Sequence, residues 1–431
     1  MRNVFLYAMA PVLVLLGSCG DDDSGSLTGT SSNIQHVVVI VQENTSFDAY
    51  FARWCTAPVG SGPTCESGPA CCEAGPSTDP GTGISPLLLD DAAHAAWDPV
   101  HLAACFVDEI NGGAMDRFVA ADCGDERNFA YSDAASVGAY YDLASRFALA
   151  DRYFQPIVGA SSANDMYFAR AAFVFEDNTF VPDSVGAECN FNRNAKNFTG
   201  LTLADLLADA GVPWAFYIDG YQTMIDATSL GECPPPDPEC AGGIPFYPCV
   251  YDPSDIPFQY YPRFQDDPTF MRDFSRFRED LEAGELPDVS FVKAIGFRSE
   301  HPGLGTTISD GITFVTDLIE EILASRDADS TLILLTYDEG GGYFDHVAPP
   351  PPSAVDGKDY GPRVPMFAIG RFARKDHISH VTMEHSSVVK FIEWNWLAGE
   401  TGQLGTRDAE VNNIGSLLDP KQTGVAVPEG R

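Results

Sequence analysis

Two apolar, β-branched runs in this chain end in the same way. Residues 331–337 read Thr-Leu-Ile-Leu-Leu-Thr-Tyr and stop at Asp338-Glu339, with Gly340, Gly341 and Gly342 directly behind. Residues 36–41 read His-Val-Val-Val-Ile-Val and stop at Gln42-Glu43-Asn44. Short apolar runs bounded by breakers predict strands buried on both faces. Further strands of this kind are predicted at 213–218, 289–293 and 364–369. Helical spacing appears at 201–210, closed by Gly211, at 312–324 with acids on the outer face, and at 386–397. Alternating strands and helices predict an α/β protein: a three-layer α/β/α sandwich around a mostly parallel sheet.

Composition narrows the partners. The chain has 431 residues, 45% of them hydrophobic, enough for a large core. Acids outnumber bases 62 to 25, and the net charge is -37. Such a surface repels nucleic acid and anionic membranes. An anionic substrate would need a locally positive site, supplied by a metal, histidines or helix N-termini.

The N-terminus predicts export. Arg2 precedes an apolar run over 4–16, too short for a membrane span, which ends Leu16-Gly-Ser-Cys19. This ending resembles a bacterial lipoprotein signal, with Cys19 as the lipidated residue; an ordinary secretory signal or a short anchor is the alternative. The expected organisation is a signal peptide over 1–18, a flexible tether over 19–33, a folded domain over 34–400 and a tail over 401–431. The expected location is periplasmic or cell-surface, anchored to the outer membrane through lipidated Cys19. Ten of the eleven cysteines lie beyond Cys19, an even number that predicts disulfides in an oxidising compartment. Zinc at Cys71-Cys72 is the alternative, although no C-x-x-C pair is present. Residues 55–86 and 232–253, rich in Gly, Pro and Cys, read as disulfide-stapled surface insertions.

The chemistry is read from the strand ends. Buried acids are costly unless a cation meets them. In α/β sheets ligands gather beyond the carboxyl ends of strands. Glu43, Asn44, Asp338 and Glu339 would then offer oxygens to one hard divalent ion, Mg, Ca or Mn. Solvated strand ends are the alternative. Ser161 and Ser162 follow Gly159, with a helix predicted from about Asn164. A serine there suits a nucleophile at a positive helix end, or simply an N-cap. His101 and His301 sit in polar turn-forming loops, so neither reads as a core residue and both are candidate site residues; a structural or merely exposed histidine is the alternative. Asn164, Asp345, His346 and His385 are further candidates, and His385 equally suits capping or orienting the helix after it.

These segments carry a resemblance. Residues 43–51, Glu-Asn-Thr-Ser-Phe-Asp-Ala-Tyr-Phe, resemble the E-N-R-S-F-D-H-Y-F signature of the bacterial phosphoesterase family. That family holds AcpA-type acid phosphatases and phosphatidylcholine-type phospholipases C. Residues 159–164 resemble its G-P-[ST]-x-P-N element, and 337–347 its Y-D-E-x-G-G-x-x-D-H-V element. Arg363-Val-Pro365 and the stretch 384–393 resemble its closing motifs, in family order. The resemblance implies an alkaline-phosphatase-like fold and hydrolysis of phosphate esters, phosphomonoester or phospholipid, through a covalent phosphoserine. It implies one metal on Glu43, Asn44, Asp338 and Glu339, with Ser161 as nucleophile touching it. His101 and His301 would contact the phosphoryl oxygens or protonate the leaving group. The chain departs from the family at Thr45, Ala49, Ala160, Ala163 and Asp165, the last where arginine is frequent. Asp255 stands near the place of a histidine pair found in some phosphatases. These departures leave a second expectation: a non-catalytic surface lipoprotein that binds a ligand in the same cleft.

Overall fold

A computed structural model describes Met1 and residues 29–430. The expected signal peptide and Cys19 lie outside the described residues. An eight-stranded sheet is built from His36–Gln42 (β1), Ala148–Ala150 (β4), Trp214–Ile218 (β5), Met271–Asp273 (β6), Val289–Lys293 (β7), Thr331–Tyr337 (β8), Met366–Ile369 (β9) and His377–Ser379 (β10). Leu87–Leu88 (β2) and Ala130–Tyr131 (β3) form a separate pair. The order is β10-β4-β9-β8-β1-β7-β5-β6. Every neighbouring pair is parallel except those made by β9, which runs against β4 and β8. The strand expected over 364–369 begins only at Met366. Pro365 has no N–H to give a ladder, and its carbonyl instead accepts from Thr336 Oγ1 at 2.9 Å.

The central strands are buried along almost their whole length, as their unbroken apolar runs require. Each such side chain contributes roughly 1.5–3 kcal/mol by leaving water, which offsets charged groups held at the strand ends. Helices gather in two sets that cover the sheet. Ser161–Arg170, Leu203–Ala210 and His385–Trp396 pack together, and so do Ala134–Arg146 and Ile308–Ala324. Leu203–Ala210 has a Thr202–Asp205 capping box and ends at Gly211, whose φ of 72° is the left-handed stop that glycine permits. Ile308–Ala324 starts about one turn before the predicted 312 because Thr307 caps it.

Three expectations change. The end of the expected tether is docked: Ser31 N donates to Asn395 O at 2.7 Å and Ser32 Oγ to Asn395 Oδ1 at 2.7 Å. The tail is packed too, with Arg407, Ile414 and Leu417 buried. Its Arg407 guanidinium grips Asp356 at 2.8 Å and donates to Pro156 O at 2.7 Å. Neither was legible as periodicity, because both rest on contacts with segments far along the chain, Asn395 for the tether and Pro156 and Asp356 for the tail. The segment 232–253 is more than a surface insertion, since Tyr247, Cys249, Val250 and Tyr251 turn inward. The ten cysteines beyond Cys19 form five disulfides: Cys55–Cys72, Cys65–Cys71, Cys105–Cys123, Cys189–Cys233 and Cys240–Cys249. Cys71 and Cys72 are therefore not zinc ligands.

Candidate active site

Register brings the strand ends together. β1 pairs with β8 from His36↔Thr331 to Gln42↔Tyr337, and with β7 from Val37↔Val289 to Val41↔Lys293. Glu43-Asn44, Asp338-Glu339 and Lys293 thus emerge at one edge. Asn44 then adopts φ 61°, a left-handed conformation that asparagine tolerates. Its carboxamide leaves the strand line and enters the cleft. One end of it lies 3.2 Å from Asp338 Oδ1, 3.2 Å from Ser161 Oγ and 3.1 Å from Glu339 Oε1; the other lies 3.0 Å from His301 Nε2.

Tautomer logic decides which end is which. His301 Nδ1 is 2.8 Å from Pro302 O, an obligate acceptor, so Nδ1 carries the hydrogen. With the hydrogen on Nδ1, His301 presents a lone pair at Nε2, and Asn44 Nδ2 meets it at 3.0 Å. Asn44 Oδ1 is left facing Asp338 Oδ1, Glu339 Oε1 and Ser161 Oγ. Three acceptor oxygens around a single donating hydroxyl, Ser161 Oγ, suit the donor set of a hard cation.

Ser161 is the first residue of the Ser161–Arg170 helix, three residues earlier than Asn164, and Ala160 is the N-cap. The capping alternative for Ser161 therefore does not hold. Its Oγ, 3% exposed as a residue, donates to Asn44 Oδ1 at 3.2 Å. Asn164, the other motif residue here, is a brace: Nδ2 donates to Gly159 O at 2.7 Å and Oδ1 accepts from Ile157 N at 3.1 Å. The expected cradle of free helix N–H groups is partly used, since Ser162 N donates to Asn178 Oδ1 at 2.9 Å. The helix end contributes its positive dipole more than open donors.

His101 and His301 face each other with ring centroids 5.7 Å apart. His101 Nδ1 lies 2.9 Å from Pro99 O, so both rings have Nδ1 engaged by a backbone carbonyl. Burial pushes His101 below the ordinary histidine value, while Asp98 pulls the other way. Asp98, His101 and His301 also bring ligand-type atoms within 4.8 Å of one another. Among the described residues two other groups do so. Cys105–Cys123 is a disulfide, and Asp48–Asp345–His346 encloses the Arg363 guanidinium. Metal-ligating potential thus concentrates in the cleft of Asn44 and His301.

The remaining candidates are structural in their contacts. Asp345 pairs with Arg363 and His346 with Asp48. His385 Nε2 donates to Asp338 O at 2.7 Å and its Nδ1 accepts from Tyr153 OH at 3.0 Å, so it fixes the backbone beneath Asp338. Burial lowers His385 to about 3, which keeps it neutral. The Glu384 side chain, not His385, caps the helix.

Lys293 and Tyr247 are site residues that the sequence reading did not single out. Lys293 Nζ is 3.3 Å from Glu43 Oε1, 3.3 Å from Asp165 Oδ2 and 3.7 Å from Asp338 Oδ2. Burial disfavours its charge, but Asp165, Glu43 and Asp338 hold the ammonium well above the ordinary lysine value. Tyr247 OH donates to Glu43 Oε2 at 2.5 Å, and its ring packs on His301 at 5.1 Å. Both Glu43 oxygens are therefore engaged away from the converging set. A lysine closing an apolar strand was the available signal for Lys293; nothing local marked Tyr247. Asp255, whose charge would repel a phosphate, accepts from Ser162 Oγ at 3.2 Å. Burial, then Glu43 and Asp252, push its carboxyl well above the usual range, toward the protonated form.

Similarity to known proteins identifies the class. A family model described as the Phosphoesterase family matches residues 34–397. The chain belongs to the phosphoesterase family and is a phosphoric ester hydrolase. It is similar to Phospholipase C B of Mycobacterium tuberculosis, 26% identical over 444 residues, covering 92% of this chain and 80% of that protein. It is also similar to a non-hemolytic phospholipase C of Burkholderia pseudomallei, 25% identical over 420 residues, covering 85% of this chain and 55% of that protein. Among solved structures it aligns with a protein in the alkaline phosphatase superfamily from Vibrio parahaemolyticus. That match has 10% identity and a TM-score of 0.37, and covers 91% of this chain and 74% of the other.

Proposed function

We propose that this protein is an exported, metal-dependent phosphoesterase of the acid phosphatase or phospholipase C type, acting through a phosphoserine at Ser161. The carrying observation is the convergence of Ser161 Oγ with Asn44 Oδ1, Asp338 Oδ1 and Glu339 Oε1 at the start of a buried helix. Asn44, Asp338 and Glu339 would hold one divalent cation, Mg, Ca or Mn by their oxygen chemistry. When bound, that cation would make the Ser161 hydroxyl more acidic and offset phosphate charge. Ser161 Oγ attacks phosphorus as its hydroxyl proton passes to a histidine Nε2, and the P–O bond to the leaving alcohol breaks. His101 or His301, with Nδ1–H fixed on a carbonyl, takes that proton on Nε2 and hands it to the leaving oxygen. The same nitrogen then takes a proton from the water that releases phosphate from Ser161. The names of the relatives support phospholipid as one substrate class.

Export is supported by the five disulfides. We place the protein in the periplasm or at the cell surface, lipidated at Cys19, with the phosphoesterase domain over about 34–400. Mass spectrometry of the mature N-terminus, with Cys19→Ser beside it, checks this.

The functional test uses p-nitrophenyl phosphate and phosphatidylcholine with added divalent metals. Ser161→Ala and Asp338→Asn should each lose about a thousandfold or more in kcat/KM. Acid-quenched wild type should carry a phosphoryl group on Ser161. Retained turnover in both variants would sink the mechanism. A second reading, a non-catalytic ligand binder, is favoured by the acids at Asp165 and Asp255. It predicts a folded protein that binds phosphate and hydrolyses neither ester.

A further inference from the structure

Lys293 has no place in the mechanism above, yet it is 3% exposed and meets three carboxylates. Two of them, Glu43 and Asp338, leave the strands that carry the cation-type oxygens. The third, Asp165, lies on the helix that begins with Ser161. Asp338 is split between the two surroundings. Its Oδ1 faces the Asn44 amide, whereas its Oδ2 faces the ammonium, and no hydrogen bond among the described residues reaches that Oδ2. Glu43 is committed fully to the other side, to Lys293 through Oε1 and to Tyr247 through Oε2. Around Glu43 and Lys293 the lining adds Asp252 and Asp255, and the space left is about 10 Å³, too small for a hydrated ion.

We propose that the Lys293 ammonium is the second positive charge of this site, anchored by Asp165 to draw Glu43 and one edge of Asp338 away from the metal position. Lys293 is thus a positioning residue. It fixes the site as one for a single divalent cation and weakens the hold on that cation, because fewer unshared carboxylate charges remain for it. Asp165 is then the counter-charge that a buried ammonium needs, rather than a defect in a phosphate-binding shell. This rests on the cation reading of Asn44, Asp338 and Glu339 given above.

The test titrates Mn²⁺ into the purified protein, reading affinity and stoichiometry by calorimetry. Lys293→Met should bind Mn²⁺ about tenfold tighter or more, or take up a second equivalent. Lys293→Arg should stay close to wild type. Lys293→Met leaves its carboxylates unpaired and strains the fold, so Lys293→Met/Asp165→Asn removes both charges of the anchor pair. It should also bind Mn²⁺ more tightly than wild type, because Glu43 and Asp338 are still released. Circular dichroism confirms the fold of each variant. If the double variant titrates like wild type, Lys293 only balances Asp165 and the inference falls. If wild type binds no Mn²⁺ but a Lys293 variant binds one equivalent, the inference stands and the metal-dependent reading of the wild type fails. No Mn²⁺ in either overturns both.

Discussion

The Arg363 guanidinium lies between two carboxylates that solvent does not reach. Its Nη2 is 2.9 Å from Asp48 Oδ1 and its Nε 2.9 Å from Asp345 Oδ1. His346 joins the group, with Nδ1 2.7 Å from Asp48 Oδ2 and Nε2 3.2 Å from Glu73 Oε2. These motif residues tie the cysteine-rich 55–86 segment to the core. Arg363→Met strands two buried carboxylates and should cost roughly 3–5 kcal/mol, read by urea unfolding; unchanged stability would refute the account. The group also carries a pH dependence. Burial lowers His346, but the charge and hydrogen bond of Asp48 outweigh it, so its value is raised. Its contribution is full below about 6.5 and fades as pH rises through the raised value. Burial raises Glu73, but the Gly62 and Gly60 amides and His346 bring it below the usual range. That contribution is lost as pH falls through the lowered value. The Glu73–His346 staple should therefore be firmest at roughly pH 5–7. Protection factors of the 55–75 amides, corrected for base-catalysed chemical exchange, should peak there, and His346→Gln should remove the alkaline arm.

At the level of elements, the strand ends were the legible part of the site. Apolar runs stopping at Asp338-Glu339 and at Glu43-Asn44 announced where β8 and β1 deliver their chemistry, because strand burial and strand ends are local properties of sequence. The glycines behind Asp338-Glu339 have a specific duty. Gly341 has φ 65°, and a Cβ there would stand 2.1 Å from Asn44 O. Gly341→Ala must therefore move Asn44 or the loop. A displacement near 1 Å at such a site costs about a hundredfold in rate, so kcat/KM on p-nitrophenyl phosphate should fall by about that much. Circular dichroism should show the fold retained. The start of the Ser161 helix was less legible. Its true cap is Ala160, with no side-chain hydrogen bond, and Asp177 and Asn178 from the loop that follows the helix hold the first turn.

For the whole molecule, the net charge of -37 sets a long-range field that opposes a phosphate dianion. If the ester is anionic, kcat/KM for p-nitrophenyl phosphate should rise with ionic strength between low and physiological salt, as screening shortens that field. A zwitterionic phosphocholine ester should show a much weaker dependence. Stopped assays at constant free metal separate the two; a falling rate for the dianion would show that local positive charge at the mouth dominates. The same scale explains what the sequence concealed about packing. Ser31 and Ser32 look like tether, yet Asn395 receives them. Arg407 looks like part of a featureless tail, yet it closes on Asp356 and Pro156.

The amino-acid order by itself determined the buried strands, the mostly parallel sheet, the pairing role of the cysteines and the oxygen-rich strand ends, because burial period and residue chemistry are written locally. Only the tertiary structure decided how those charges are shared. Register placed Lys293 beside Glu43 and Asp338, the helix turned Asp165 onto the same ammonium, and the 232–253 segment brought Tyr247 over Glu43 and His301. Coulomb interactions at 3–4 Å in a dry interior depend on which side chains meet, and for residues tens to hundreds of positions apart no local pattern carries that.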